Sequence, residues 1–378
     1  MENTIELSRS ATLSLYFSSI ILAIIFAYLS EQFKVFYRGK VRINPFYWML
    51  SFLSLWIPLG FRGYGIDHEA YVNMYYNIRN TYSWFPEPLY ALLNYVISVT
   101  LSNFIYIYLI SSFISLFFIY LAFANRLGKN SLYISVMILS ISYYFYMYGL
   151  VRMFIAVGIV MYAHKFIEER KPFKYIIWCI VASGFHYSAL IMIPLYFVFT
   201  YKIKENYSFK DSLNNLLMSI FIVPMVFLVG SKIFIMIFGG VSFFARYANY
   251  FQLNLTVGSL KNFAWAWPLL ILVMLFGKLI IKKVEDGNIL IRMFWVFFSL
   301  SIISIFFPVF RIGFFLFYIG FYLYASLPKL LSKNDKIPIT YTYTVLFFLI
   351  GFYYIYSVFF DSIFIDPYLI PYFWTVPY

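Results

Sequence analysis

Apolar runs of about 20 residues recur along almost the whole chain, and they restrict its fold more than any other feature. A helix rising 1.5 Å per residue needs roughly that length to cross the ~30 Å hydrocarbon layer of a bilayer. Such runs lie near 12–30, 44–60, 104–124, 131–149, 152–168, 212–238, 262–281, 289–307, 310–328 and 340–360. Two more stretches are irregular: 87–101 is short for a span, and 174–201 is long but broken at Gly184-Phe185-His186. The spacing predicts an all-α, polytopic transmembrane helical bundle of about 10–13 spans. With 63% hydrophobic and 11% charged residues, the chain has too little polar side chain to cover a water-soluble core of its size. No shift in composition marks a second domain, so residues 1–378 read as a single integral membrane domain. The first run follows two acids with no cleavage signature, so it is expected to stay as a span. Aromatic residues, a quarter of the chain, are expected among lipid tails and at the headgroup belts.

The net charge of +13 suggests nucleic acid until the basic residues are placed loop by loop. Lys34, Arg38, Lys40 and Arg42 share one loop, Arg126 and Lys129 another, and Arg170, Lys171 and Lys174 a third. Further groups are Lys202, Lys204 and Lys210, then Lys282 and Lys283, then Lys329, Lys333 and Lys336. Loops rich in lysine and arginine stay cytoplasmic, so no nucleic-acid partner is implied and both termini are expected outside. Loops 61–86 and 239–261 and the tail 361–378 then face outward. This topology requires an odd number of crossings between 87 and 124, which favours a re-entrant or interfacial helix at 87–101.

Arg62, Arg79, Arg152, Arg246 and Arg311 fall on the outer side, against the general bias. An ionisable group at a helix turn near the membrane is costly unless it pairs or faces a wet cavity. Each arginine alone is equally well explained as snorkelling to headgroups, but several forked guanidinium groups on one face suit a pyrophosphate. The segment Phe61-Arg62-Gly63-Tyr64-Gly65-Ile66-Asp67-His68-Glu69-Ala70-Tyr71 combines turn glycines, acids and stacking rings, the mixture a sugar site needs. An interfacial loop with an amphipathic helix over 69–80 fits it as well. Glu87, between Pro86 and Pro88, reads as a helix-start acid. The break Ser183-Gly184-Phe185-His186-Tyr187-Ser188-Ala189 suggests a polar pocket, since irregular backbone at membrane depth must be satisfied by protein or water. His186 there is either a base or a histidine bonded between helices.

Several chemistries are absent from the sequence. The lone Cys179 has no partner, and no spacing of His, Asp and Glu resembles a metal site, so neither metal nor cofactor is expected. There is no phosphate loop with Lys and Ser/Thr and no G-x-S-x-G elbow.

Phe61-Arg62-Gly63-Tyr64-Gly65-Ile66-Asp67 with Tyr71, then Glu87-Pro88-Leu89-Tyr90 with Leu93-Asn94, resembles the amino-terminal half of the EpsG-like branch of Wzy-type polysaccharide polymerases. Val151-Arg152-Met153, Lys174-Tyr175, Ala182-Ser183-Gly184-Phe185-His186-Tyr187-Ser188-Ala189-Leu190 and Phe310-Arg311 extend the resemblance over roughly 15–375. The chain departs from the pattern where Arg152-Met153 replaces Arg-Gln and Gly65-Ile66-Asp67 replaces Gly-Thr-Asp. Arginine and acid remain in place, but the neighbours' roles are not carried over. The resemblance implies a bundle similar to GT-C type membrane glycosyltransferases, in the bacterial cytoplasmic membrane. It implies polymerisation of undecaprenyl-pyrophosphate-linked repeat units on the outer face, for O-antigen, capsule or exopolysaccharide. A flippase and a chain-length regulator would be partners. Arg62, Arg152, Arg246 and Arg311 would stabilise the leaving pyrophosphate, and Tyr64, Tyr71 and Tyr187 would hold sugar. Asp67 is the first choice for the base, His186 the second, then Glu69 or Glu87. A lipid-linked glycan ligase, or a flippase or transporter of lipid-linked glycans, remains open as an alternative.

Overall fold

The computed structural model describes residues 4–37, 40–65, 67–81, 87–127, 130–201, 207–238, 266–307, 309–331 and 373–375. Of the sequence expectations, the span at 340–360, Arg246 and almost all of the loop 239–261 and the tail 361–378 lie outside them. The described residues are overwhelmingly helical, and the chain is an all-α polytopic bundle. It divides into one compact unit of Met1–Ile193 with Leu349–Tyr378 and a second of Pro194–Phe348. The composition carries no sign of that division.

The first unit runs α1 (Arg9–Gln32), α2 (Pro45–Gly60), α3 (His68–Thr81), α4 (Pro88–Thr100), α5 (Ile105–Asn125), α6 (Leu132–Ser142), α7 (Val151–Glu168) and α8 (Pro172–Ser183). A 3-10 turn at Phe145–Tyr148 precedes α7, and another at Tyr187–Ile191 leads into α9 (Met192–Thr200). Short antiparallel ribbons pair Thr4–Glu6 with Phe373–Thr375 and Val35–Tyr37 with Lys40–Arg42. Local chemistry sets several boundaries. The Asn44 side chain accepts from the Phe46 N–H at 3.0 Å, with Pro45 opening α2. Glu31 at the end of α1 accepts from the Leu132 N–H at 2.5 Å and so caps α6.

Four described helices are long and apolar enough to cross a membrane: Arg9–Gln32, Ile105–Asn125, Phe209–Ile233 and Gly287–Phe306. With its 18 residues α7 matches a span in length, but it carries Arg152, Lys165 and Glu168 at its ends. Its apolar middle, residues 153–161, is buried on every side. Its closest neighbours are α5 and α8, and α1 packs on α2 and α6. Gly158 lets α7 approach α5 closely: a Cβ there would lie 2.7 Å from the Ser115 carbonyl oxygen. At 13 residues, about 20 Å long, α4 is shorter than the hydrocarbon layer, in keeping with the irregularity read at 87–101.

Many of the tyrosines go elsewhere than the lipid and headgroup belts. Tyr16, Tyr90, Tyr108, Tyr120, Tyr144 and Tyr148 are fully buried in the first unit. Their rings pack edge-on, as Tyr16 does on Phe145 and Tyr148. Some of the buried hydroxyls find partners, such as Tyr120 with Ser51 at 2.9 Å and Tyr144 with the Leu55 carbonyl at 3.0 Å. Tyrosine thus fills an interior between helices while bonding a buried hydroxyl or backbone oxygen there, which phenylalanine cannot do.

In the second unit, Phe209–Leu217 opens with a capping box between Ser208 and Asp211. It passes through a π-helical turn at Met218–Ile222 into Val223–Phe238. Ala266–Lys283, Gly287–Phe306, Phe310–Phe317 and Ile319–Leu331 follow, with Trp295 Nε1 donating to Tyr207 Oη at 3.1 Å.

Candidate functional site

The site grows from the way α4 begins. Glu87 precedes Pro88, and a residue before proline is driven to extended backbone, seen here as φ −123 and ψ 132. Pro88 takes the first helical position. The N–H groups of Leu89 and Tyr90, which have no partner within their own helix, donate to the Gly184 carbonyl at 2.8 and 3.2 Å. The broken segment after α8 therefore caps α4. Only glycine fits at 184, because a Cβ would lie 2.5 Å from Leu89. With the backbone donors satisfied, the Glu87 carboxylate makes no cap of its own and turns elsewhere.

It meets two groups. One carboxylate oxygen accepts from the Arg152 guanidinium at the start of α7. The other lies 3.3 Å from His186 Nδ1. His186 is the extended residue between the Gly184 turn and the 3-10 turn that begins at Tyr187. Glu87 is almost sealed, with 6% of its side chain exposed, against 24% for Arg152 and 16% for His186. The Arg152 guanidinium is 5.9 Å from the centre of the Tyr90 ring. Tyr71, buried on α3, lies beside Arg152 and bonds its side chain. Burial raises the Tyr71 phenol above its ordinary range, with Arg152 pulling the other way, so it remains a neutral oxygen that holds the guanidinium in place.

A second cluster adjoins α3. Arg62 is only 1% exposed, its guanidinium 4.1 Å from the Tyr108 ring centre and 5.1 Å from that of Tyr148. It donates to the carbonyls of Leu59 and Met147. The cation is thus held by ring faces and backbone oxygens, and no carboxylate pairs with it among the described residues. Tyr108 Oη also lies 3.0 Å from His68 Nδ1, and the His68 ring packs at a tilt against Tyr64 with centroids 4.6 Å apart. Burial, and then the nearby Arg62, lower the His68 pKa below 6.5, with Glu69 opposing. His68 is accordingly neutral at pH 7.

The geometry separates the residues chosen from sequence. Glu87, Arg152, His186 and Tyr71 converge. Arg62 is in a closed cage, with its guanidinium against rings and backbone. Asp67 and Glu69 are exposed, and neither makes an ion pair among the described residues. Asp67 has φ 61, a left-handed conformation that aspartate tolerates better than most residues, and its carbonyl receives the Tyr71 N–H. Tyr64 packs against His68. Tyr187 opens a 3-10 turn and is half-buried. Arg311, partly exposed, is on Phe310–Phe317 of the second unit. Sequence reasoning missed His68 and Tyr108 and placed Glu87 among the last choices for a base. The available signal was the Pro-Glu-Pro context, which keeps an acid extended at a helix start.

No curated protein and no solved structure matches the chain. The family model for the EpsG family matches residues 45–374, a stretch that contains every residue of both clusters. The chain belongs to the EpsG family, and membership points to a polysaccharide-polymerase-like function.

Proposed function

We propose that this protein joins undecaprenyl-pyrophosphate-linked oligosaccharide repeat units into polysaccharide at the outer face of the bacterial cytoplasmic membrane. The observation that carries this reading is the meeting of Arg152, Glu87 and His186 at the start of α7, with the cation the most exposed of the three. A hydroxyl of the incoming repeat unit attacks the anomeric carbon of the growing glycan. A carbon–oxygen bond forms there, the bond from that carbon to the phosphate oxygen breaks, and the electron pair leaves on the lipid pyrophosphate. Arg152, held by Tyr71, offers fixed positive charge where the leaving group gains negative charge. His186 takes the hydroxyl proton, with Glu87 against its other side as the orienting acid. Asp67 and Glu69, exposed at the head of α3, contact sugar hydroxyls together with Tyr64 and Tyr187. Arg62 supports this arrangement from its cage. A flippase supplies the substrate, and a chain-length regulator is a second partner.

The purified protein, given a synthetic undecaprenyl-pyrophosphate repeat unit, is expected to give a ladder of longer glycans that Arg152→Ala strongly reduces. Transfer of single blocks to a different acceptor assigns it as a ligase. Movement of the lipid across vesicles without glycan growth assigns it as a transporter.

A further inference from the structure

The same carboxylate serves both halves of this site. Glu87 reaches Arg152 through one oxygen and faces His186 at 3.3 Å through the other. It is more deeply buried than either partner. Tyr71 binds Arg152 independently of Glu87, so the guanidinium keeps an anchor when its contact with the acid is lost. A buried carboxylate that loses its counter-charge is costly, and the cost falls when a neighbour supplies a proton. A pyrophosphate carries more charge than a carboxylate and matches the guanidinium fork in two places.

We propose that the Glu87–Arg152 pair is a latch opened by the donor: pyrophosphate takes Arg152, and the released Glu87 carboxylate turns His186 into the working base. The inference rests on the polymerase reading and adds an order of events to it. Before the donor arrives, the Glu87 carboxylate is shared between Arg152 and His186. With the phosphate on Arg152, the carboxylate faces His186 alone. The hydroxyl proton then passes to His186 as the new glycosidic bond forms, and Glu87 holds the imidazolium. The groups facing the carboxylate are Arg152 from α7 and His186 from the break after α8, while the phenols of Tyr71 on α3 and Tyr90 on α4 lie around Arg152. A base switched on by its own donor avoids deprotonating an acceptor hydroxyl when there is nothing to attack.

The test is binding of inorganic pyrophosphate to the full-length protein in detergent, measured by calorimetry beside the glycan ladder assay. Glu87→Gln keeps the shape of the side chain and removes the competing charge. It is expected to bind the probe at least about fivefold more tightly than wild type, while glycan transfer falls about a hundredfold. Glu87→Asp keeps the charge but shortens its reach, so it is expected to bind more tightly too and to retain part of the transfer rate. Arg152→Ala is expected to bind most weakly. Weaker or unchanged binding by both Glu87 variants would overturn the latch and make Glu87 a positioning residue for Arg152, with the polymerase reading intact if wild type still builds a ladder. A wild-type protein that neither binds pyrophosphate nor extends glycan overturns both.

Discussion

The two ends of α7 carry the same three residue types in different settings. At its start, Arg152 meets Glu87 and lies near His186; at its end, Glu168 meets Arg126, and His164 Nε2 lies 3.2 Å from the Glu168 carboxylate. The clusters are separated by the length of an 18-residue helix, about 27 Å. Both answer the helix dipole in the same way. Arg152 at a helix start and Glu168 at a helix end are each misplaced with respect to α7, and each is countered by a residue well placed on a neighbour, Glu87 opening α4 and Arg126 closing α5. The difference is access to the cation and the histidine, since the carboxylates run the other way, with Glu168 14% and Glu87 6% exposed. Arg126 is 2% exposed and donates as well to Asn130 at 3.3 Å, whereas Arg152 is 24% exposed. In the closed cluster His164 is supplied by α7 itself, four residues before Glu168, while His186 enters the open one from broken backbone. A sealed pair between α5 and α7 fastens helices. An open pair beside an irregular loop can exchange its partner for a ligand.

Paired substitutions test that contrast. The largest expected effect is at the cations: Arg152→Ala should lower glycan transfer by about 10²–10³-fold in a protein that still folds. Arg126→Ala should instead cost about 3–5 kcal/mol of stability by removing the buried guanidinium that meets Glu168, with the folded fraction active. Thermal unfolding in detergent alongside the ladder assay separates the two, and a stable, inactive Arg126→Ala protein would end the distinction. Next are the histidines. His186→Asn should slow transfer by roughly a hundredfold, whereas His164→Asn should act on thermal stability alone.

Gly184→Ala should destabilise by about 1–3 kcal/mol, since Leu89 must move and the cap on α4 with it. Transfer should fall in the same variant, because that cap is what frees the Glu87 carboxylate to meet Arg152. Loss of stability with full activity would separate the loop from the site. The smallest effect concerns His68, whose pKa is lowered in the fold. The unfolded chain binds more protons there below pH 6.5, so this contribution to stability is present above 6.5 and is lost as pH falls through the lowered value. Melting curves from pH 7.5 to pH 5 should fall less steeply for His68→Asn than for wild type.

Much of the helix plan was legible because each helix announces itself locally. The apolar run at 104–124 became Ile105–Asn125, the amphipathic stretch at 69–80 became His68–Thr81, and the break read at 184–186 separates α8 from the following 3-10 turn. The candidate site was legible only as a list of costly residues. Arg62 and Arg152 look alike in sequence, yet one lies in a cage of rings and the other reaches a carboxylate. Asp67 carries the stronger motif, but its side chain is exposed, while Glu87 is buried against a cation.

The sequence by itself determined that this is a membrane bundle of helices, where most of them start and stop, and which polar groups are too expensive to be incidental. Those properties follow from hydrophobic run length, proline and glycine placement and charge count, all of which act over a few residues. Only the tertiary structure decided that Glu87 meets Arg152 across 65 positions of chain and that Gly184 caps α4. Such pairings depend on which helix ends approach each other. Helix packing sets that approach, through close contacts such as Gly158 against Ser115 that no local pattern encodes.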